Sequence, residues 1–107
     1  MMTADFDYES LDPGVREFVR WLHRYGYKTT DSGDGVSKPP ERRVLNYAHV
    51  VIKVPEWTGS LIAKAHILVR RCVKAGHDSA IVEATYSTED TVALLFVRGF
   101  NVAAVAP

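Results

Sequence analysis

Asp12-Pro13-Gly14-Val15-Arg16-Glu17-Phe18-Val19-Arg20-Trp21-Leu22-His23-Arg24-Tyr25-Gly26, followed at once by Tyr27-Lys28-Thr29-Thr30, is the stretch that settles the fold class. Asp followed by Pro is a strong helix start, because a carboxylate accepts from free backbone amides and Pro suits the first helical position. Val15, Phe18, Val19, Leu22 and Tyr25 then recur at helical spacing on one face, and Gly26 supplies the left-handed stop. The spacing predicts an amphipathic helix over 12–25. Tyr27 to Thr30 is rich in β-formers and predicts a short strand.

The rest of the chain follows the same alternation. Asp31 to Glu41 (DSGDGVSKPPE) contains two Asp, two Gly and two Pro and predicts a loop. From Arg42 to Val54 the composition is β-prone; in the later part Ala48, Val50, Ile52 and Val54 share one face, and His49, Val51 and Lys53 the other. Pro55 ends that strand. Thr58 or Ser60 can cap a second helix, in which Leu61, Ile62, Ala65, Leu68, Val69, Cys72 and Val73 form a wide buried stripe closed by Gly76. Ile81 to Ser87 and Thr91 to Arg98 read as two strands joined across Thr88, Glu89 and Asp90. The order αββαββ implies an α+β two-layer sandwich, a mainly antiparallel four-stranded sheet with both helices on one face. It is also the order of a ferredoxin-like fold whose first strand has been moved to the end. A single domain spans 1–107: an acidic arm (1–11) expected to pack loosely, an α+β core (12–98) and an apolar tail (99–107) that the pattern does not place.

Composition narrows the function classes. The 107 residues are 47% hydrophobic and 24% charged, which excludes disorder. Thirteen basic side chains balance thirteen acidic ones, so the strongest sign of a general nucleic-acid binder is missing. The lone Cys72 makes no internal disulfide, and it falls on the apolar stripe of the second helix with no His three or four positions away, which argues against a Cys/His hydrolase. The N-terminus is acidic where a secretory signal would be basic, and no run approaches the ~18 uncharged residues of a membrane helix. The reading is a soluble cytoplasmic protein without a membrane role.

The most unusual local sequence is Asp31-Ser32-Gly33-Asp34-Gly35. Glycines at the end of a strand let backbone amides face a ligand, and carboxylates take a cation. An EF-hand does not fit, since Asp31 and Asp34 are three apart and the third position is Gly33. A phosphate loop does not fit either, because Ser37-Lys38 run into Pro39-Pro40 rather than a helix. A turn built by Asx and Gly residues is the plainer reading. If the strands at Tyr27 and Tyr47 pair antiparallel, however, Asp31 and His49 meet at one end of the sheet. Asp31, Asp34 and His49 are then the ligand set for a divalent metal, the only cofactor these residues suggest, or His49 is a base oriented by Asp31.

The remaining features have structural explanations at hand. His77 follows the second helix, where a cationic imidazole suits the C-terminus. His66 adjoins the apolar stripe, and His23 lies between Arg20 and Arg24. Arg16, Arg20 and Arg24 form a basic stripe with four acids in residues 1–12 beside it, so self-neutralisation competes with nucleic-acid binding. Trp21 borders the first helix's apolar face. Trp57 lies in a turn and either folds onto the core or marks a contact surface.

Leu11 to Leu22 together with Gly26-Tyr27-Lys28-Thr29-Thr30-Asp31-Ser32-Gly33-Asp34-Gly35 resembles small proteins without an established activity that are encoded by bacteriophages and their hosts, especially actinobacterial ones. The similarity covers about the first third of the chain; the His49 strand and closing hairpin agree only in pattern. It implies a phage or prophage origin, hence a host cytoplasm, and no reaction. With no recognisable catalytic set and with exposed sheet edges, the residues favour a binding module that engages a protein partner or self-associates into a homo-oligomer through Asp31, Ser32, Gly33, Asp34, Gly35 and His49. The alternatives are a metal- or phosphate-dependent hydrolase using the same loop, and a nucleic-acid accessory protein using Arg16, Arg20 and Arg24.

Overall fold

The computed structural model of the chain describes residues 6–43, 45–54, 60–87 and 92–102. Two helices, α1 (Arg16–Arg24) and α2 (Leu61–Lys74), and four strands, β1 (Lys28–Gly33), β2 (His49–Val54), β3 (Ile81–Ser87) and β4 (Val92–Arg98), follow the order αββαββ. The strands form one open sheet in the order β1-β2-β4-β3. Every neighbouring pair is antiparallel. Since β2 and β3 are both antiparallel to β4, they run parallel to each other with β4 between them, a split βαβ unit. The last strand thus takes the slot that a ferredoxin-like sheet gives its first.

Both helices lie on one side because the apolar faces leave no alternative. Val50, Ile52, Leu95 and Val97 are cross-strand neighbours on a single face and are at most 1% exposed. Val15, Phe18, Val19 and Leu22 from the first helical segment and Leu61, Ala65, Leu68 and Cys72 from α2 join them in one core, whereas Ile62 and Val73 of the expected α2 stripe and Tyr25 of the first are exposed, because the sheet covers a narrower arc of each helix than the apolar residues span. Burying side chains of this size contributes roughly 1.5–3 kcal/mol each before entropy is subtracted. The other face carries Asp31, His49, Val51, Lys53 and Phe96 by register, and no helix covers it among the described residues.

Several boundaries differ from the sequence expectation. The first helix opens as a 3-10 turn, Pro13–Val15, before α1 begins. Asp12 makes no side-chain cap there, because its carboxylate is drawn into a long-range bond described below. The strand expected at Tyr27 to Thr30 continues through Gly33, so the first three loop residues are β. Its register shifts between Thr29 and Asp31, and a bulge of this kind lets an Asp-Ser-Gly run stay on a sheet edge. Conversely, β2 begins only at His49, and Pro40–Arg42 form a 3-10 turn. At α2 the capping expectation holds for Ser60, whose Oγ accepts from the Ala63 amide at 3.2 Å. Thr58, Trp57, Pro55 and the 88–90 hairpin loop lie outside the described residues.

The described parts of the arm and tail are more tightly attached than their composition suggests. Tyr8 Oη lies 2.7 Å from His23 Nδ1, and the Phe6 ring meets the same imidazole edge-on at 4.6 Å. The arm from Phe6 onward is therefore docked on α1 rather than loose. At the other end Phe100 stacks on Phe18 with ring centroids 4.0 Å apart and planes 4° apart. Asn101 then donates its side-chain amide to the Gly76 carbonyl at 2.9 Å and its backbone amide to His77 Nδ1 at 3.0 Å. Residues 103–107 of the tail are outside the described set.

Candidate functional site

Antiparallel pairing of β1 with β2 places Gly33 opposite His49 and Asp31 opposite Val51. Residues two apart on a strand share a face, so Asp31 and His49 point the same way. His49 Nε2 lies 3.6 Å from Asp31 Oδ2. The imidazole is 4% exposed, whereas the Asp31 side chain is 57% exposed. The ring is packed parallel to Phe96, with centroids 5.8 Å apart, and its Nδ1 is 3.4 Å from the Tyr47 carbonyl oxygen. Among the described residues Nε2 has no hydrogen-bond partner. A separation of 3.6 Å is too long for a direct hydrogen bond to Asp31, and a buried polar atom left unpaired costs about 1–3 kcal/mol. The pair opens into a cavity of about 50 Å³, also lined by Asp12, Lys38, Arg42 and Arg43.

Asp34 is not part of this pair. Its carboxylate is turned the other way, accepting from the backbone amides of Gly14 at 3.0 Å, Val36 at 3.0 Å and Ser37 at 2.8 Å, and from the Ser37 hydroxyl. Burial opposes its ionisation, but the Ser37 hydroxyl and the three amides together outweigh that and hold the carboxyl down to about 2. Asp34 is an Asx-turn residue that organises the loop. The expected ligand set of Asp31, Asp34 and His49 is therefore not assembled. Among the described residues no group of three or more His, Cys, Asp or Glu is placed to hold a metal ion. Ser32 is half-buried, and Gly33 and Gly35 are buried with Asp34 rather than presented to solvent.

Asp12 is the residue whose role the sequence concealed. Its Oδ2 accepts from the Asp34 amide at 3.1 Å and its Oδ1 from Lys38 Nζ at 3.1 Å. Local pattern pointed its carboxylate at its own helix, and only the approach of residue 34 offers it a better donor. Arg43 is likewise committed, donating to the carbonyls of Lys38 at 2.7 Å and Val36 at 3.0 Å.

The basic stripe is largely consumed by the chain itself. Arg16 pairs with Glu9 at 3.3 Å and donates to the Glu9 and Leu11 carbonyls. Arg20 pairs with Glu17 at 2.6 Å and lies 4.6 Å above the Tyr8 ring. Arg24 is exposed. His77 departs from expectation in its charge: burial lowers its pKa, against a smaller upward pull from Asp78, and its Nδ1 accepts from Asn101. It serves as a neutral acceptor, not as a cation at the helix end. Cys72 is fully buried, and burial pushes its thiol up to about 11.

The chain matches no protein-family model, no curated protein and no solved structure. No helix among the described residues is long and apolar enough to cross a membrane.

Proposed function

We propose that this chain is a binding module that engages a protein partner through the corner of the sheet where Asp31 and His49 meet. The observation that carries the reading is the unpartnered, buried Nε2 of His49 beside the exposed Asp31 carboxylate. With Nδ1–H donated to the Tyr47 carbonyl, Nε2 offers a lone pair, and both residues line one small cavity. One donor group placed about 2.9 Å from each would satisfy both. Lys38, Arg42 and Arg43 around the same cavity disfavour a cation, so the complementary group is a neutral amide or hydroxyl of the partner. The resemblance to bacteriophage proteins makes a host protein the fitting source.

Binding is favoured over hydrolysis because the second carboxylate that a metal or acid/base site would use, Asp34, is already bonded by its own loop. It is favoured over nucleic-acid recognition because Arg16 and Arg20 are held by Glu9 and Glu17. The test is a quantitative comparison of host-extract proteins retained by immobilised wild type and by the Asp31→Asn, His49→Gln double variant, with folding of both checked by circular dichroism. A specific protein retained by the wild type and lost from the variant is expected. Identical retention by both overturns the reading.

A further inference from the structure

A cavity of about 320 Å³ opens between α2 and the β1–β2 end of the sheet, closed on one side by the turn at Gly26 and Tyr27. Its floor is apolar. Ile52 and Leu95 are partners on neighbouring strands, and Ile67 of α2 and Val54 extend the same surface. Lys64, Ile67 and Arg71 recur at i, i+3 and i+7, so one face of α2 brings two cations and an isoleucine to the cavity. Lys28 and Lys53 border it from the strands.

Charge around this cavity has one sign. Lys28, Lys53, Lys64 and Arg71 line it, and no Asp or Glu does so among the described residues. Lys28, Lys53 and Lys64 form no ion pair with a described residue. Lys28 and Lys53 also stand directly opposite each other in the β1–β2 register, and like charges so placed are destabilising. The alternation of β2 assigns this pair to the sheet face away from the helices. They therefore strengthen the positive field, and Lys64 and Arg71 are the groups that meet a ligand.

Arg71 is held ready for that task. Its Nη1 donates to Tyr27 Oη at 3.0 Å, and its guanidinium lies 4.4 Å above the Tyr25 ring. The bond and the stack fix the plane of the fork while leaving N–H groups for a two-point grip on an oxyanion. We infer that this cavity binds a small organic phosphate monoester, its phosphate taken by Arg71 and Lys64 and its apolar body laid on Ile52, Ile67 and Leu95. A neutral apolar molecule would leave the cations unmatched, and a bare anion would leave the floor unused. Four neighbouring cationic residues favour a dianion over a carboxylate. The cavity shares no lining residue with the Asp31 and His49 corner, so the inference is independent of that reading.

Isothermal titration calorimetry of the full chain with octyl phosphate tests it, at low salt and pH ~8, where the ester carries two charges. Saturable one-site binding is expected, with octanoate weaker and inorganic phosphate and octanol each weaker by at least about tenfold. Lys64→Gln and Arg71→Gln are each expected to weaken octyl phosphate by about tenfold or more. Arg70→Gln, at an exposed α2 position outside the cavity, leaves it unchanged. Absence of saturable binding, inorganic phosphate, octanol or octanoate bound as tightly as the ester, affinity retained in Lys64→Gln, or affinity lost in Arg70→Gln overturns the inference. Vesicles of phosphatidylcholine with phosphatidic acid separate a free ester from a lipid head group: no co-sedimentation is expected, and retention on them overturns the assignment to a free ester. Should Arg71→Gln not fold, methyl resonances of the wild type decide. Shifts on octyl phosphate addition centred on Ile52, Ile67 and Leu95 support the site, and shifts centred elsewhere overturn it.

Discussion

Asp12 and Asp34 are linked reciprocally: the Asp34 amide donates to the Asp12 carboxylate, and the Asp34 carboxylate accepts from the amide of Gly14, two residues beyond Asp12. The entrance of the first helix and the turn after β1 are thereby locked together, which fixes the corner that holds His49. Asp34→Ala removes the acceptor of three backbone amides and one hydroxyl at a buried position. It is expected to destabilise the protein by about 3 kcal/mol, since charge-assisted bonds contribute more than neutral ones and the donors are left unpaired. Urea denaturation at neutral pH measures this.

The depressed acidity of Asp34 also sets a pH window. Its carboxyl titrates near 2 in the folded chain against an ordinary value of 3.8. The stabilisation is complete above pH ~4 and is lost as pH falls from there through the folded value, because the unfolded chain then binds the proton first. The lost amount is about 2 kcal/mol. In Asp34→Asn this part of the acid limb is expected to flatten, as read from denaturation midpoints between neutral pH and pH ~2.

Gly35 stands in the left-handed region at φ +80°, and a Cβ there would come within 2.7–2.8 Å of the Tyr47 backbone. Gly35→Ala therefore meets both a conformational penalty and a clash with main chain that has no rotamer to yield. A loss of about 2–4 kcal/mol is expected. Because Tyr47 supplies the carbonyl facing His49 Nδ1, the His49 ring resonances should shift in the nuclear magnetic resonance spectrum of any fraction that remains folded.

Burial lowers the pKa of both His23 and His77, in the latter against a smaller upward pull from Asp78. His77 accepts from the Asn101 amide through Nδ1, so its bond needs the neutral ring. A histidine with a depressed folded pKa stabilises the protein above the unfolded value and loses that contribution as pH falls below ~6.5. Stability is expected to decline as pH falls below ~6.5, ahead of the Asp34 limb, and His77→Gln should reduce the slope there. Thermal unfolding at closely spaced pH values resolves the two limbs.

Cys72 lies at 0% exposure with its thiol raised to about 11. A buried, protonated thiol is a poor nucleophile. Labelling by an aromatic disulfide reagent at pH ~8 is expected to proceed only through unfolding, with a rate that follows the unfolding free energy across destabilised variants such as Asp34→Ala. Rapid labelling of the native chain would place the helix packing in error.

Amphipathic period and turn chemistry were enough to specify the elements. Val15, Phe18, Val19 and Leu22 repeat at helical spacing and are all buried, and the alternation of Val50 and Ile52 with Val51 and Lys53 separates inside from outside. These are local consequences of backbone geometry, so no distant residue was needed to read them. The side-chain identities of the candidate site were legible only in part. That Asp31 meets His49 followed from assuming one antiparallel pairing, and the Asp34 bonds to Val36 and Ser37 are the local Asx turn that the loop composition suggests, whereas the link between Asp12 and Asp34 and the bond from the Gly14 amide did not follow from any local rule.

What the sequence by itself determined is therefore the order of helices and strands, their apolar faces and the α+β class, because each depends on residues within a turn or two of one another. Tertiary structure alone decided that the Asp12 carboxylate is drawn to the Asp34 amide and the Asp34 carboxylate to the Gly14 amide, while Asp31 stays exposed beside His49. Asp12 and Asp34 are 22 residues apart, and a polar side chain chooses among donors by which of them the fold brings within about 3 Å. The same holds for β3, whose place at the end of the sheet among the described residues is fixed only when β4 takes its place between β2 and β3.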